Sequence, residues 1–239
     1  MKQKKKRRAF RLFCKVSLIT VLLLIGGILT FSNVIKDEIV EYTSNTNNHS
    51  IVTVSVEDVK KNQEETEGIE YDFSAVEALD LPSIVKASAE SGEIKKKIVS
   101  GISIPSVGIS ENIYKGVSNR VLAIGAGTMK PEQELGKGNY ALAGHTMDNK
   151  NLLFGKLTDV EIGDEIYVTD KQYIYTYKVS YKGKIKASDV HVIEDREGET
   201  MITLVTCADN GKTRFIVQGT YLGKIAIENV SSEVLKLFQ

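Results

Sequence analysis

The sequence predicts an all-β barrel or sandwich with short helices, preceded by one N-terminal transmembrane helix. Three observations support this prediction. About twenty residues without a charge, 16–35, follow a basic N-terminus. From Val99 onward the chain consists of short strand-like runs separated by Gly, Pro and Asn at the spacing of hairpins. The 239 residues, 42% hydrophobic and 26% charged, are enough for one sizeable core.

The uncharged run 16–35 is long enough to cross a bilayer, because about twenty helical residues at ~1.5 Å each match a hydrocarbon core. Residues 1–15 contain eight Lys and Arg and no acidic residue, which predicts a cytoplasmic basic segment and an outside location after about residue 36. A cleaved signal peptide is the alternative. Bulky residues at 30–34 do not resemble a small-x-small cleavage site, so an uncleaved signal anchor is favoured.

The neutral total charge conceals two regions of opposite sign. Beyond residue 15 the chain has 23 basic and 31 acidic residues. An acidic domain behind a basic N-terminus gives no support to nucleic-acid binding, which needs a basic face on the folded domain.

Between the membrane segment and the folded domain, residues 36–72 are rich in Asn, Thr, Lys and Glu. Such a composition buries too little apolar surface to offset ordering entropy, which predicts an extracytoplasmic stalk. Residues 73–239 then form the folded domain. The spacing of Phe73, Val76 and Leu79 predicts a helix at its start, and a second helical stretch is expected after Pro82.

The strands follow from alternating or continuous apolar runs bounded by turn residues. A short helical piece is expected at 152–157 between them. The predicted strands include 102–105, 140–143, 165–169, 173–181, 201–207 and 213–221.

Cys207 is the only cysteine after the membrane segment. Cys14 lies on the cytoplasmic side of the predicted anchor and cannot pair with it. An unpaired thiol outside the cell is a candidate reactive group, whereas a small buried apolar side chain is the alternative. Cys207 ends a predicted strand beside the turn-rich run 208–211, where a substrate can reach it, and alternation puts it on one face with Thr203 and Val205.

Two polar residues occupy similar strand ends. His145 follows the apolar run 141–144, and Arg214 opens the strand after the loop that follows Cys207. A nucleophilic cysteine needs a proton partner and a positive environment, and these residues supply both. Each also has an ordinary structural explanation, as a capping histidine or an arginine on a solvated sheet edge. Sequence spacing leaves their convergence in space open.

The run Thr203-Leu204-Val205-Thr206-Cys207, with Ala143-Gly144-His145 upstream and Arg214 downstream, resembles the signature of sortases, membrane-anchored cysteine transpeptidases of Gram-positive bacteria. The resemblance covers about 75–239. The N-terminal anchor, without a second membrane segment near residue 239, is most like class A, the housekeeping type.

The resemblance implies a closed eight-stranded β-barrel. It implies that Cys207 is the nucleophile, that His145 protonates the leaving amine, and that Arg214 orients the substrate and stabilises the oxyanion. Ala143, Thr203 and Val205 match positions that line the groove for the sorting signal. The implied partners are secreted proteins with a Leu-Pro-x-Thr-Gly motif, cleaved between Thr and Gly, and an amine of a cell-wall precursor such as lipid II.

No cofactor is expected, although some class A sortases bind Ca²⁺ through carboxylates on loops beside the groove. Glu132 and Glu134 lie in a comparable region, but their spacing on a short polar segment favours a solvated loop over an oxygen cage. Two other functions remain open from the sequence. One is a membrane-anchored cysteine peptidase that mainly hydrolyses, and the other is a non-catalytic surface-binding module.

Overall fold

The predicted barrel is confirmed in a computed structural model, which describes residues 2–47, 50–73, 76, 79–147 and 149–238. Eight strands close in the order β1-β2-β3-β4-β7-β8-β6-β5. The pairs β2–β3 and β4–β7 are parallel, and the other neighbours are antiparallel. The strands are β1 (Ile98–Ile104), β2 (Ile109–Tyr114), β3 (Ala126–Thr128), β4 (Asn139–Gly144), β5 (Glu165–Thr169), β6 (Tyr173–Lys186), β7 (Met201–Ala208) and β8 (Thr213–Ala226).

The helices are short apart from those near the N-terminus. The α-helices are α1 (Lys2–Thr30), α2 (Ser32–Asn47), α3 (Ser50–Thr53), α4 (Val56–Glu64), α5 (Leu81–Ile94), α6 (Asn119–Leu122) and α7 (Ser232–Leu235). The 3₁₀ turns are Lys95–Lys97, Leu157–Asp159, Val190–Ile193, Asp209–Gly211, Ile227–Asn229 and Lys236–Phe238.

The barrel interior is filled by one face of each strand. On β7, Ile202 and Leu204 belong to the central core, whereas Val205 packs with a second apolar cluster outside the barrel. This alternation follows from the two-residue period of a strand and matches the sequence prediction. The predicted helical piece at 152–157 is wrong: residues 152–156 form a bend, an isolated bridge and a turn, and the 3₁₀ turn Leu157–Asp159 follows. The predicted helix over 73–79 includes 74, 75, 77 and 78, which lie outside the described residues.

A single apolar helix stands at the N-terminus. Phe13–Thr30 within α1 has a mean hydropathy of 2.2, and none of it is buried against the rest of the protein. Its length and composition fit a single-pass membrane anchor.

The residues after this helix differ from the expected stalk. Val40 of α2, Ile51 of α3 and Val59 of α4 are buried, and they share an apolar cluster with Ile98 and Tyr114 of the barrel wall. The polar composition did not indicate this packing, because a few separate apolar side chains are enough to dock short helices on the barrel. The assignment of 36–72 as a spacer outside the membrane stays a prediction.

Candidate active site

His145 is the first residue after β4, which ends at Gly144. The ring of Phe154 lies so close to the Gly144 backbone that a Cβ added to Gly144 would be only 2.5 Å from the ring. The Phe154 N–H donates to the carbonyl of His145 at 3.1 Å. A glycine at 144 therefore lets the segment that carries Phe154 pack closely beside His145.

The His145 imidazole is only 5% exposed. Burial lowers the pKa of His145 from 6.5 to about 4, because the protonated ring loses hydration. Its Nε2 atom has no hydrogen-bond partner among the described residues. At neutral pH the side chain is therefore a neutral base with an uncommitted nitrogen.

Cys207 lies one residue before the end of β7, directly opposite Arg214 on β8 in the antiparallel register. Side chains at such opposed positions point to the same face of the sheet, with Cβ atoms about 4.5–5.5 Å apart. Cys207 is half-buried and is not in a disulfide. A tight turn between the strands creates this pairing.

The turn after Cys207 is held by Asp209, whose backbone is in the left-handed region with φ 50°. Its carboxylate accepts from Lys184 Nζ at 2.8 Å and from the Thr213 hydroxyl at 2.7 Å. The Lys184 hydrogen bond, followed by that of Thr213, lowers the pKa of Asp209. These contacts stabilise the loop that joins the cysteine strand to the arginine strand.

The Arg214 guanidinium is positioned by backbone carbonyls and by an aromatic ring. Nη1 donates to the carbonyls of Gly211 at 2.8 Å and Thr213 at 3.2 Å. Its Cζ atom lies 5.2 Å from the centre of the Phe73 ring, within cation–π range. Its Nε is buried without a hydrogen-bond partner in the described part of the chain.

One cavity of about 470 Å³ is lined by His145, Cys207 and Arg214 together. The structure thus brings together the three residues that sequence reasoning singled out. Residues from distant parts of the chain complete the lining: Lys36, Asp37, Val76, Leu79, Thr146, Met147, Ala208, Asp209 and Gly211.

The contribution of the N-terminal residues was missed by the sequence analysis. Asp37 of α2 accepts a hydrogen bond from the backbone N–H of Asn149, in the loop after His145, at 3.0 Å. Val76 and Leu79 provide apolar lining. Only the helical spacing of Phe73, Val76 and Leu79 signalled a packed surface, and it did not indicate where that surface docks.

The expected groove residues, Ala143, Thr203 and Val205, do not line this cavity. Ala143 is paired with Val205 across β4 and β7, and both pack with Val192 and Ile216. The Thr203 hydroxyl is 3.4 Å from the carbonyl oxygen of Val192. All three are at most 3% exposed. Their contact with a substrate stays a prediction.

Glu132 and Glu134 lie in the β3–β4 loop and line a different cavity, of about 820 Å³. Glu134 pairs with Lys137 at 2.8 Å. Within the residues that the structure describes, no group of three or more His, Cys, Asp or Glu could hold a metal ion. Nearby, Lys130 Nζ lies 2.5 Å from Asp195 Oδ1 and joins this loop to the β6–β7 loop.

Comparison with known proteins points to one family. The model of the Sortase domain matches residues 102–222. Sortase A of Streptococcus agalactiae is 34% identical over 244 residues, covering 100% of this chain and 96% of that protein. Sortase A of Listeria monocytogenes is 36% identical over 207 residues, covering 86% and 90%.

A solved structure gives the same result. The crystal structure of Listeria monocytogenes sortase A matches with a TM-score of 0.55 and 35% identity, covering 59% of this chain and 97% of that chain. The closed barrel, and not only the cysteine motif, is therefore shared.

Proposed function

This chain belongs to the sortase family of cell-wall sorting cysteine transpeptidases, and we propose that Cys207, His145 and Arg214 carry out its reaction. The observation that supports this proposal is the shared cavity, in which a thiol, a neutral imidazole and an arginine with an unused N–H meet. These are the nucleophile, the base and the oxyanion stabiliser that thiol-mediated acyl transfer requires.

In the acylation half, the Cys207 sulfur attacks the scissile carbonyl carbon while His145 takes the thiol proton. The carbonyl oxygen becomes an oxyanion, which accepts hydrogen bonds from Arg214. Collapse of this intermediate breaks the C–N bond, and the imidazolium gives its proton to the leaving amine. The product is a thioester on Cys207.

In the transfer half, an incoming amine attacks the thioester carbonyl and His145 accepts a proton from it. Collapse forms the amide and expels the Cys207 thiolate, which recovers its proton from the imidazolium. A thioester suits this chemistry because it persists in a groove yet reacts readily with amines. A neutral His145 in the resting site fits the first step, in which it must accept a proton.

Family membership gives LPXTG-type sorting signals as substrates and a cell-wall amine as acceptor. Within that class, we assign cleavage to the bond between Thr and Gly, and we assign the acceptor to a precursor such as lipid II. The sorting signal is proposed to contact Ala143, Thr203 and Val205. The eight basic residues within 1–15, at the start of α1, support a cytoplasmic N-terminus with the barrel outside.

The decisive experiment traps the thioester on the full-length protein with a Leu-Pro-x-Thr-Gly peptide and detects it by mass spectrometry. Cys207→Ala should give no adduct, and Cys14→Ala, which removes the other thiol, should give the wild-type amount. Removal of a single oxyanion donor costs roughly 10²–10³-fold in kcat, so Arg214→Ala should slow adduct formation by about that factor. An adduct on the Cys207→Ala protein would refute the assignment.

Transfer and hydrolysis are separated by adding an amine. With oligoglycine present, the peptide product should change from the free acid to the amide, and total turnover should rise if thioester resolution is slow. A product that stays an acid at saturating amine would instead indicate a peptidase.

A further inference from the structure

Two threonine hydroxyls connect the chain beside His145 to the chain beside Cys207. The Oγ1 atoms of Thr146 and Thr206 are 2.7 Å apart. Thr146 Oγ1 is also 3.1 Å from the carbonyl oxygen of Cys207, and Thr206 Oγ1 is 2.7 Å from the carbonyl oxygen of Gly144. Gly144 and Thr146 are the residues on either side of His145. Thr206 is the residue before Cys207.

The direction of these hydrogen bonds follows from the number of protons. Each hydroxyl has one proton, and a carbonyl oxygen can only accept. Thr206 donates to Gly144, so the proton between the two hydroxyls comes from Thr146. Thr146 therefore faces two acceptors, the Thr206 oxygen and the Cys207 carbonyl.

These hydroxyls lie where the backbone ladder stops. Strands β4 and β7 are paired in parallel as far as Gly144 and Thr206, and the register between them ends there. His145 and Cys207 are the next residue on each strand. Beyond that point Thr146 forms an isolated antiparallel bridge with Leu153. Past the end of the ladder, the Thr146 hydroxyl continues the hydrogen bonding from the histidine strand to the cysteine strand.

We propose that Thr146 is a positioning residue that sets the distance between the His145 imidazole and the Cys207 thiol through Thr206. This proposal rests on the catalytic roles assigned above. Thr206 is only 1% exposed, whereas Thr146 is exposed and lines the catalytic cavity. Because Thr146 is exposed, water can reach the oxygen atoms that lose its hydroxyl, so its removal should affect geometry more than stability.

The test compares Thr146→Val, which keeps the shape and removes the hydroxyl, with Thr146→Ser, which keeps the hydroxyl. A displacement of reacting groups by about 1 Å costs up to 10²-fold, so Thr146→Val should lower kcat for peptide cleavage by roughly 10–100-fold. KM should stay near the wild-type value because the groove is untouched. Thr146→Ser should recover most of the kcat.

The matched control is Thr158→Val, an exposed threonine on the 3₁₀ turn Leu157–Asp159. It should leave both parameters and the melting temperature unchanged. All proteins are measured full-length, and the melting temperature of Thr146→Val should stay within about 2 °C of wild type. A wild-type kcat for Thr146→Val, or a Thr146→Ser as slow as Thr146→Val, would overturn the proposal.

A double-mutant cycle tests the pair as a unit. If Thr146 acts through Thr206, the double variant Thr146→Val/Thr206→Val should lose no more kcat than Thr206→Val alone. Multiplicative losses would show that the two act separately and contradict the proposal. Thr146→Val should still accumulate the thioester on long incubation. Failure of that endpoint would instead concern the assignment of Cys207.

Discussion

The catalytic wall, made of β4, β7 and β8, and the N-terminal segment, residues 32–80, meet at the same cavity but are encoded differently. In the catalytic wall nearly every second residue is apolar and enters the barrel core, as Ile202 and Leu204 do. In the N-terminal segment the buried residues are single and far apart, as Val40, Ile51 and Val59 are. The catalytic wall contributes His145, Cys207 and Arg214 to the cavity, whereas the N-terminal segment contributes part of the cavity lining.

This difference shows what mean composition conceals. A strand must bury one face along its whole length, so its pattern appears locally in the sequence. A short helix that docks on an existing sheet needs only one or two apolar contacts, and the surrounding Lys, Asn and Glu can stay in water. A polar stretch beside a folded domain can therefore be part of its surface.

The largest expected effect comes from removing an anchor of the N-terminal segment. Ile51 is 3% exposed, and its side chain lies against Gly101, where an added Cβ would be 3.3 Å from Ile51 Cγ2. Ile51→Ala should lower the free energy of unfolding by about 2–4 kcal/mol, as for other buried Ile or Leu truncations. Chemical denaturation of the full-length protein measures this loss.

The neighbouring Val52 provides the control, because it is 47% exposed on the same short helix. Val52→Ala should change the free energy of unfolding by less than about 0.5 kcal/mol. Equal, small effects of both substitutions would mean that the segment is the unpacked stalk that its composition predicts.

The sequence predicted the barrel and the three central site residues because both depend on local signals. Strand ends placed His145, Cys207 and Arg214 beside loops, and the motif around Cys207 identified the family. Thr203 and Val205 could be assigned to the same face as Cys207 from alternation along one strand, whereas Ala143 came only from the family resemblance. The parts that could not be predicted depend on contacts between distant residues: Asp37 with the Asn149 backbone, Phe73 with Arg214, and Thr146 with Thr206.

A smaller effect is expected where the N-terminal segment covers the site. Leu79 is 9% exposed and lines the cavity with His145 and Cys207. Leu79→Ala should increase the rate of Cys207 alkylation by iodoacetamide roughly threefold to tenfold, equivalent to about 1 kcal/mol of easier access. Val85→Ala, a half-exposed residue of α5, is the control and should leave that rate unchanged.

The same substitution should move the pKa of His145 upward from about 4 toward the ordinary 6.5, because less burial means less loss of hydration. The unfolded chain binds this proton at higher pH than the folded protein does. The free energy of unfolding therefore has its full contribution from His145 above pH 6.5 and loses it as pH falls toward 4. Leu79→Ala should narrow the pH range over which this loss occurs. NMR titration of His145, identified with a His145→Asn variant, checks the shift. An unchanged pKa together with an unchanged alkylation rate would show that the segment does not restrict the site.

The smallest expected effect concerns calcium, at the cavity that Glu132 and Glu134 line. Asp195 in the β6–β7 loop contacts Lys130 at 2.5 Å and accepts from the Asn139 backbone at 2.9 Å. Lys130, followed by Asn139, lowers the pKa of Asp195, so its carboxylate is ionised and already has a cation. We expect addition of Ca²⁺ or of EDTA to change kcat/KM by less than about twofold, because Ca²⁺ needs several oxygen ligands, whereas Asp195 and Glu134 are each paired with a lysine and the described residues contain no cluster of three or more acidic, His or Cys side chains that could hold a metal ion. Lys130→Ala should raise KM modestly by loosening the loop, whereas Lys137→Ala, which removes the exposed partner of Glu134, should not. A several-fold activation of the wild-type protein by Ca²⁺ would mean that Glu132 and Glu134 bind the ion after all.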